Sequence, residues 1–139
     1  MGTVLRPELS EKNKYWIDRH RYYELKHFCL QYPVWKKMYA TLDGLSKREN
    51  NFEIKPRTGS HGDPTAKCAI AKTNYMDHIN MIETLAVEAD DGISGYLLKG
   101  ITEGLSYEVM KARLKIPCSK EMYYDRYRKF FWLLSNARN

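Results

Sequence analysis

Apolar residues recur along this chain at helical spacing, and almost nowhere do they alternate as in a strand. That periodicity predicts an all-α fold. A first helical pattern begins at Asn13, where Trp16, Tyr23, Phe28 and Leu30 are interleaved with Arg and Lys. Pro33 interrupts it. Tyr32, the residue before the proline, is pushed away from helical angles, and Pro33 can open a new helix. Val34, Met38, Leu42 and Leu45 follow at helical spacing, with Gly44 weakening the end. Residues 46–62, SKRENNFEIKPRTGSHG, lose the pattern and read as a linker or loop. A short strand over Phe52 to Ile54 is the weaker alternative there.

Asp63-Pro64 is a helix start, with Asp as N-cap and Pro in the first position. The broad apolar stripe that follows predicts a helix to about Ala89, stopped by Asp90-Asp91-Gly92. A shorter helix is expected over Ile93 to Thr102, with Tyr96, Leu97, Leu98 and Ile101 on its apolar face. Gly104 suits a left-handed C-terminal cap. Ser106 caps the next short helix, to Leu114, whose Val109, Met110 and Leu114 face inward. Ile116 plugs the core at the turn, Pro117 bars the preceding helix from continuing, and Ser119 caps the last helix. Tyr123, Tyr127, Phe130, Phe131 and Leu134 form the buried side of that last helix. The chain then divides into an aromatic, basic helical region over 1–48, a linker over 49–62, central helices over 63–104 and a helix-turn-helix over 105–139. Residues 1–12 read as a frayed arm.

Charge sharpens this picture. The 139 residues carry a net charge of +6, distributed as +5 over residues 1–62, −4 over 63–105 and +5 over 106–139. Two basic ends around an acidic middle favour a polyanionic partner at one or both ends, although scattered surface charge would give a milder version of the same pattern. The three cysteines, Cys29, Cys68 and Cys118, form no CxxC or CxxxC, so a reducing compartment is expected rather than a disulfide framework. No apolar run reaches the roughly 18 residues of a membrane span, and the first residues hold no apolar signal core. A cytoplasmic location without a membrane partner is therefore expected.

The last helix carries the candidate chemistry. Its first turns can meet base edges in a major groove while flanking cations grip phosphates. Ser119, Lys120, Glu121 and Tyr124 sit at the entry, and Arg128 lies four residues beyond Tyr124. Arg126 and Lys129 are placed for phosphates. An isolated basic helix is more often simply solvated, but this one follows a capped short helix and a tight apolar turn. Catalysis finds little support. Glu83 and Glu88 are five residues apart and do not share a helix face. His20 with His27, and Cys68 with His78, match no metal-binding spacing, and no phosphate-binding glycine loop occurs. No catalytic site, metal or cofactor is expected. The aromatic N-terminal stretch, with Tyr15, Trp16, Tyr22, Tyr23, Phe28, Tyr32 and Trp35, suits core packing, a protein interface or nucleic-acid binding.

Three motifs resemble the phage late-gene transcriptional activators of the RinA/ArpU type. They are Tyr32-Pro33 followed by Val34-Trp35-Lys36; Asp63-Pro64-Thr65-Ala66 leading a helix to Ile82-Glu83; and Leu105-Ser106-Tyr107-Glu108 through Ile116-Pro117-Cys118-Ser119 and Tyr123-Tyr124 to Arg128-Lys129. Together they span residues 13–136, and the third is the most specific. It is also similar to region 4 of sigma factors, which reads promoter −35 elements. The resemblance implies an all-α, sigma-like regulator that binds promoter DNA, with host RNA polymerase and a second copy of the chain as further partners. It places Ser119, Lys120, Glu121, Tyr124 and Arg128 at DNA-reading positions. Glu121 and Met122 stand where such proteins often carry Arg or Thr, and Asp125 where a basic residue is common. Acids there repel phosphates. Two other functions remain open on sequence: a small terminase-type packaging protein that forms a ring, and a protein-interaction module that binds no DNA.

Overall fold

The computed structural model describes residues 13–51 and 64–138. The chain is all-α: α1 (Arg19–Leu30), α2 (Tyr32–Asn51), α3 (Pro64–Ala89), α4 (Ser94–Glu103), α5 (Tyr107–Leu114) and α6 (Lys120–Ala137), with a 3-10 turn at Asp91–Ile93 before α4. Three expected features, the N-terminal arm, the Phe52–Ile54 strand and the Asp63 cap, lie outside the described residues.

Boundaries differ from the expectation at three places. The first helix starts at Arg19 rather than near Asn13. The Asp18 carboxylate accepts from the His20 N–H at 2.9 Å and so sets an N-cap there. The break before α2 falls one residue earlier than expected. Gln31 closes α1, and Tyr32 already belongs to α2. At the other end α2 runs to Asn51, past the expected end near 46, because Ser46–Asn51 holds no Gly or Pro to stop it.

The chain forms two compact units, Met1–Gln31 with Met81–Asn139 and, separately, Tyr32–Asn80. This differs from the expected division, which kept the whole aromatic N-terminal region together. In the first unit α1 packs against α4 and α6, elements far away in sequence. Tyr22, Leu25, Phe28 and Cys29 form its buried side, and Leu25 is fully enclosed. Burying one such large side chain stabilises the fold by about 1.5–3 kcal/mol. Arg21 fastens α1 to α6, donating from Nε to Ser135 Oγ at 3.2 Å and from Nη2 to the Ser135 carbonyl at 3.1 Å. The Arg138 guanidinium lies 3.6 Å from the Phe28 ring centroid. Of the three uses open to the aromatic stretch, core packing holds for Tyr22 and Phe28.

The second unit pairs α2 with the N-terminal part of α3. Trp35 meets His78 with ring centroids 4.9 Å apart, and Lys72 Nζ reaches Asp43 at 2.9 Å. Later positions on α2 meet earlier positions on α3, so the helices run antiparallel.

Around α4 the packing leaves no slack. A Cβ added at Gly100 would collide with the Tyr123 hydroxyl and approach Met110 within 3.0–3.1 Å, and both neighbours are fully buried. The Tyr123 hydroxyl has no hydrogen-bond partner among the described residues. We expect Gly100→Ala to destabilise the fold by about 1–3 kcal/mol through overpacking, and Tyr123→Phe to be neutral or stabilising because it removes a buried unpaired hydroxyl. In a thermodynamic cycle by urea unfolding, Tyr123→Phe should recover part of the Gly100→Ala loss.

Burial also couples the fold to pH. It raises the Cys29 thiol and the Tyr123 and Tyr127 hydroxyls above their ordinary values. These groups stay protonated in the folded chain while their unfolded counterparts ionise near pH 8.5 for Cys and 10 for Tyr. Stability from them is thus complete below about pH 8 and falls as pH climbs above it, by up to about 1.4 kcal/mol per pH unit for each group. Unfolding curves at pH 7, 9 and 10.5 should show this decline.

Candidate nucleic-acid interface

Two serines set the geometry of the α5–turn–α6 segment. Ser106 is extended at φ −77° and ψ 163°, and its hydroxyl accepts from the Val109 N–H at 3.3 Å. Ser119 repeats the arrangement at φ −73° and ψ 160°, accepting from the Met122 N–H at 3.1 Å. Each cap satisfies a backbone donor that helix formation would leave open. Gly104 ends α4 at φ 71°, as expected. Lys115 ends α5 at φ 54° and ψ 48°, the sole positive φ outside glycine among the described residues. A lysine there is strained by about 1–2 kcal/mol.

The turn is held from inside. Ile116 is 3% exposed and plugs the core as expected. The Tyr107 hydroxyl donates to the Cys118 carbonyl, and the Tyr107 N–H donates to the Tyr124 hydroxyl at 3.4 Å. Tyr107 and Tyr123 stack in a tilted pair at 5.9 Å. On the rim, Lys120 Nζ reaches Glu108 at 2.7 Å, and this bond raises the pKa of the lysine. Both side chains are about half exposed, so the pair adds little stability. The Cys118 thiol is raised by burial first and by the Asp90 charge second, with Lys111 opposing. It therefore stays a thiol at neutral pH.

The seven residues expected to meet DNA do not form one face. Ser119 is spent on its cap, and Lys120 is paired with Glu108. Glu121 is exposed. Tyr124 is not available as a reading residue: it is 9% exposed and turned toward α5. Its position places it on the same flank of α6 as Tyr127 and Phe131, which the packed interior claims. Arg126 is held by Asp90 at 2.9 Å and by Asp125 at 2.8 Å rather than extended toward solvent. Its bond to Asp90 raises its pKa further. The Arg128 Nε is buried without a hydrogen-bond partner among the described residues. Lys129 is partly exposed on the outer side, with Asp125.

Other residues complete the surface. Lys111 and Arg113 in the last turn of α5, and Lys115 just beyond, are all exposed. They offset the negative end of the helix dipole and leave three cations at the junction. They count in the +5 of the C-terminal stretch, so charge alone was a signal for them. Met122 is 39% exposed on the outer side of α6. Its position opposite Tyr124 and Tyr127 on the helix was the only sequence signal for it. Among the described residues no group of three or more His, Cys, Asp or Glu could hold a metal ion, and no helix is long and apolar enough to cross a membrane.

Comparison with protein-family models, curated proteins and solved structures finds no match for this chain.

Lys115→Gly removes left-handed strain and one surface cation together. We expect unchanged or higher stability, by up to about 1 kcal/mol, in thermal unfolding. Loss of stability would show that the lysine side chain supports the turn.

Proposed function

We propose that this chain is a sequence-specific DNA-binding transcriptional regulator that places the N-terminal turns of α6 in the major groove of a promoter. The observation that carries this reading is the junction itself. Two serine-capped helices meet at an apolar turn, with Lys111, Arg113 and Lys115 exposed at the end of α5. A short supporting helix with cations beside the entry of a longer helix is the geometry that positions a recognition helix through phosphate contacts. The paired Lys120 adds a fourth cation that DNA can recruit from Glu108.

The resemblance of the Leu105–Lys129 motif supports a finer reading, activation of phage late genes for packaging, morphogenesis and lysis within the bacterial cytoplasm. Promoter DNA is then the first partner, with host RNA polymerase and a second copy of the chain as the others. No residue in this reading performs catalysis.

Binding to labelled duplexes tiled across the DNA flanking the gene tests it. We expect one upstream region to bind tightly and to weaken steeply between two salt concentrations, since each phosphate neutralised contributes about 0.9 to the log–log salt slope. Arg113→Ala should weaken all duplexes alike and lower that slope by about 1. Salt-independent or absent binding would overturn the proposal.

A further inference from the structure

On the reading just proposed, the geometry points to Glu121 and Met122 as the pair that reads sequence, Glu121 taking a cytosine and Met122 a neighbouring thymine methyl. At the entry of α6 most side chains are already engaged. Ser119 caps the helix, and Lys120 is drawn to Glu108. Tyr123 and Tyr124 are buried, and Arg126 is bound to Asp90 and Asp125. That last pair also occupies Asp125, one turn further along. Among the described residues, only Glu121 and Met122 stand exposed in the first turn with side chains engaged by neither the helix cap nor an ion pair, side by side on the outer surface.

Their chemistry differs in kind from that of the cations around them. A carboxylate approaching a duplex is repelled by the phosphates, so Glu121 lowers affinity everywhere except where a donor meets it. In the major groove the cytosine 4-amino group is such a donor. Glu121 therefore acts by penalising other bases. Met122 is the one large apolar side chain exposed on α5 or α6 among the described residues. An apolar group at the entry of a recognition helix matches the single apolar feature of the major groove, the thymine methyl. Burying one methyl equivalent corresponds to roughly fourfold in affinity. The division of labour follows: Lys111, Arg113 and Lys115 provide grip without sequence preference, and the two exposed residues of α6 provide preference with little grip.

Selection from a randomised duplex pool with the full chain tests this, using the wild type, Glu121→Gln and Met122→Ala. Both positions are exposed, so both variants should fold as the wild type does, Glu121→Gln losing only the small stabilisation of a first-turn acid. Glu121→Gln should change one selected position from cytosine to adenine, because a glutamine amide pairs with the adenine edge, and leave the rest of the site as it was. For Met122 the probe is the selected duplex with deoxyuridine replacing single thymines, which deletes only the methyl. The wild type should lose roughly fourfold at one position, and Met122→Ala should be indifferent there. If the wild type selects a defined site and both variants select it unchanged, with no thymine sensitive to the deletion, the assignment of readers is wrong while DNA binding stands. If the wild type shows no salt-dependent binding to any duplex, the regulator reading falls, and this assignment with it.

Discussion

The close approach of α4 to the Tyr123 ring is the constraint on which the rest of the first unit depends. Gly100 has no side chain, so the Tyr123 hydroxyl end and Met110 can occupy the space a Cβ would take. That fixes α5 and α6 against α4 at once, because Met110 belongs to α5 and Tyr123 to α6. The same tyrosine packs on Tyr107, Tyr124 and Tyr127, so one buried ring joins α5 to α6. The cost is a buried hydroxyl without a partner among the described residues. Interiors at crystal-like density accept such a cost where shape complementarity is high.

From that packing the surface follows. The interior takes six side chains of α6, Tyr123, Tyr124, Tyr127, Phe130, Phe131 and Leu134, and with them more of the helix circumference than a single apolar stripe. Two packing partners cause this, α1 against α6 from Tyr127 to Ser135 and α4 beside it. The outer side keeps Glu121, Met122, Asp125 and Lys129, and is therefore less basic than the composition of α6 suggests. The positive charge is displaced to the end of α5. Exposed positive charge and exposed apolar surface therefore fall to different elements, the cations to the end of α5 and Met122 to α6.

Local chemistry made much of this legible. Both serine caps, the glycine at the end of α4, the Ile116 plug and the stop at Asp90 follow from short-range rules, and each is found where the residues place it. Asp90 does more than stop a helix, since its carboxylate also holds Arg126, 36 residues away. No spacing rule reports such a pair. Tyr124 shows the opposite difficulty. Its residue type suits base stacking or core packing equally well, and only its neighbours decide between them.

The sequence by itself determined the order of the helices, both serine caps and the tight turn between α5 and α6, because these depend on backbone angles and side chains within a few residues of each other. It also determined the basic character of the C-terminal stretch. Tertiary structure alone decided that α1 belongs with α4 and α6 rather than with α2, since that choice rests on contacts between positions about a hundred residues apart. It also decided which cations remain available to a partner. Charge is a property of the residue, but availability depends on which carboxylate the fold brings beside it.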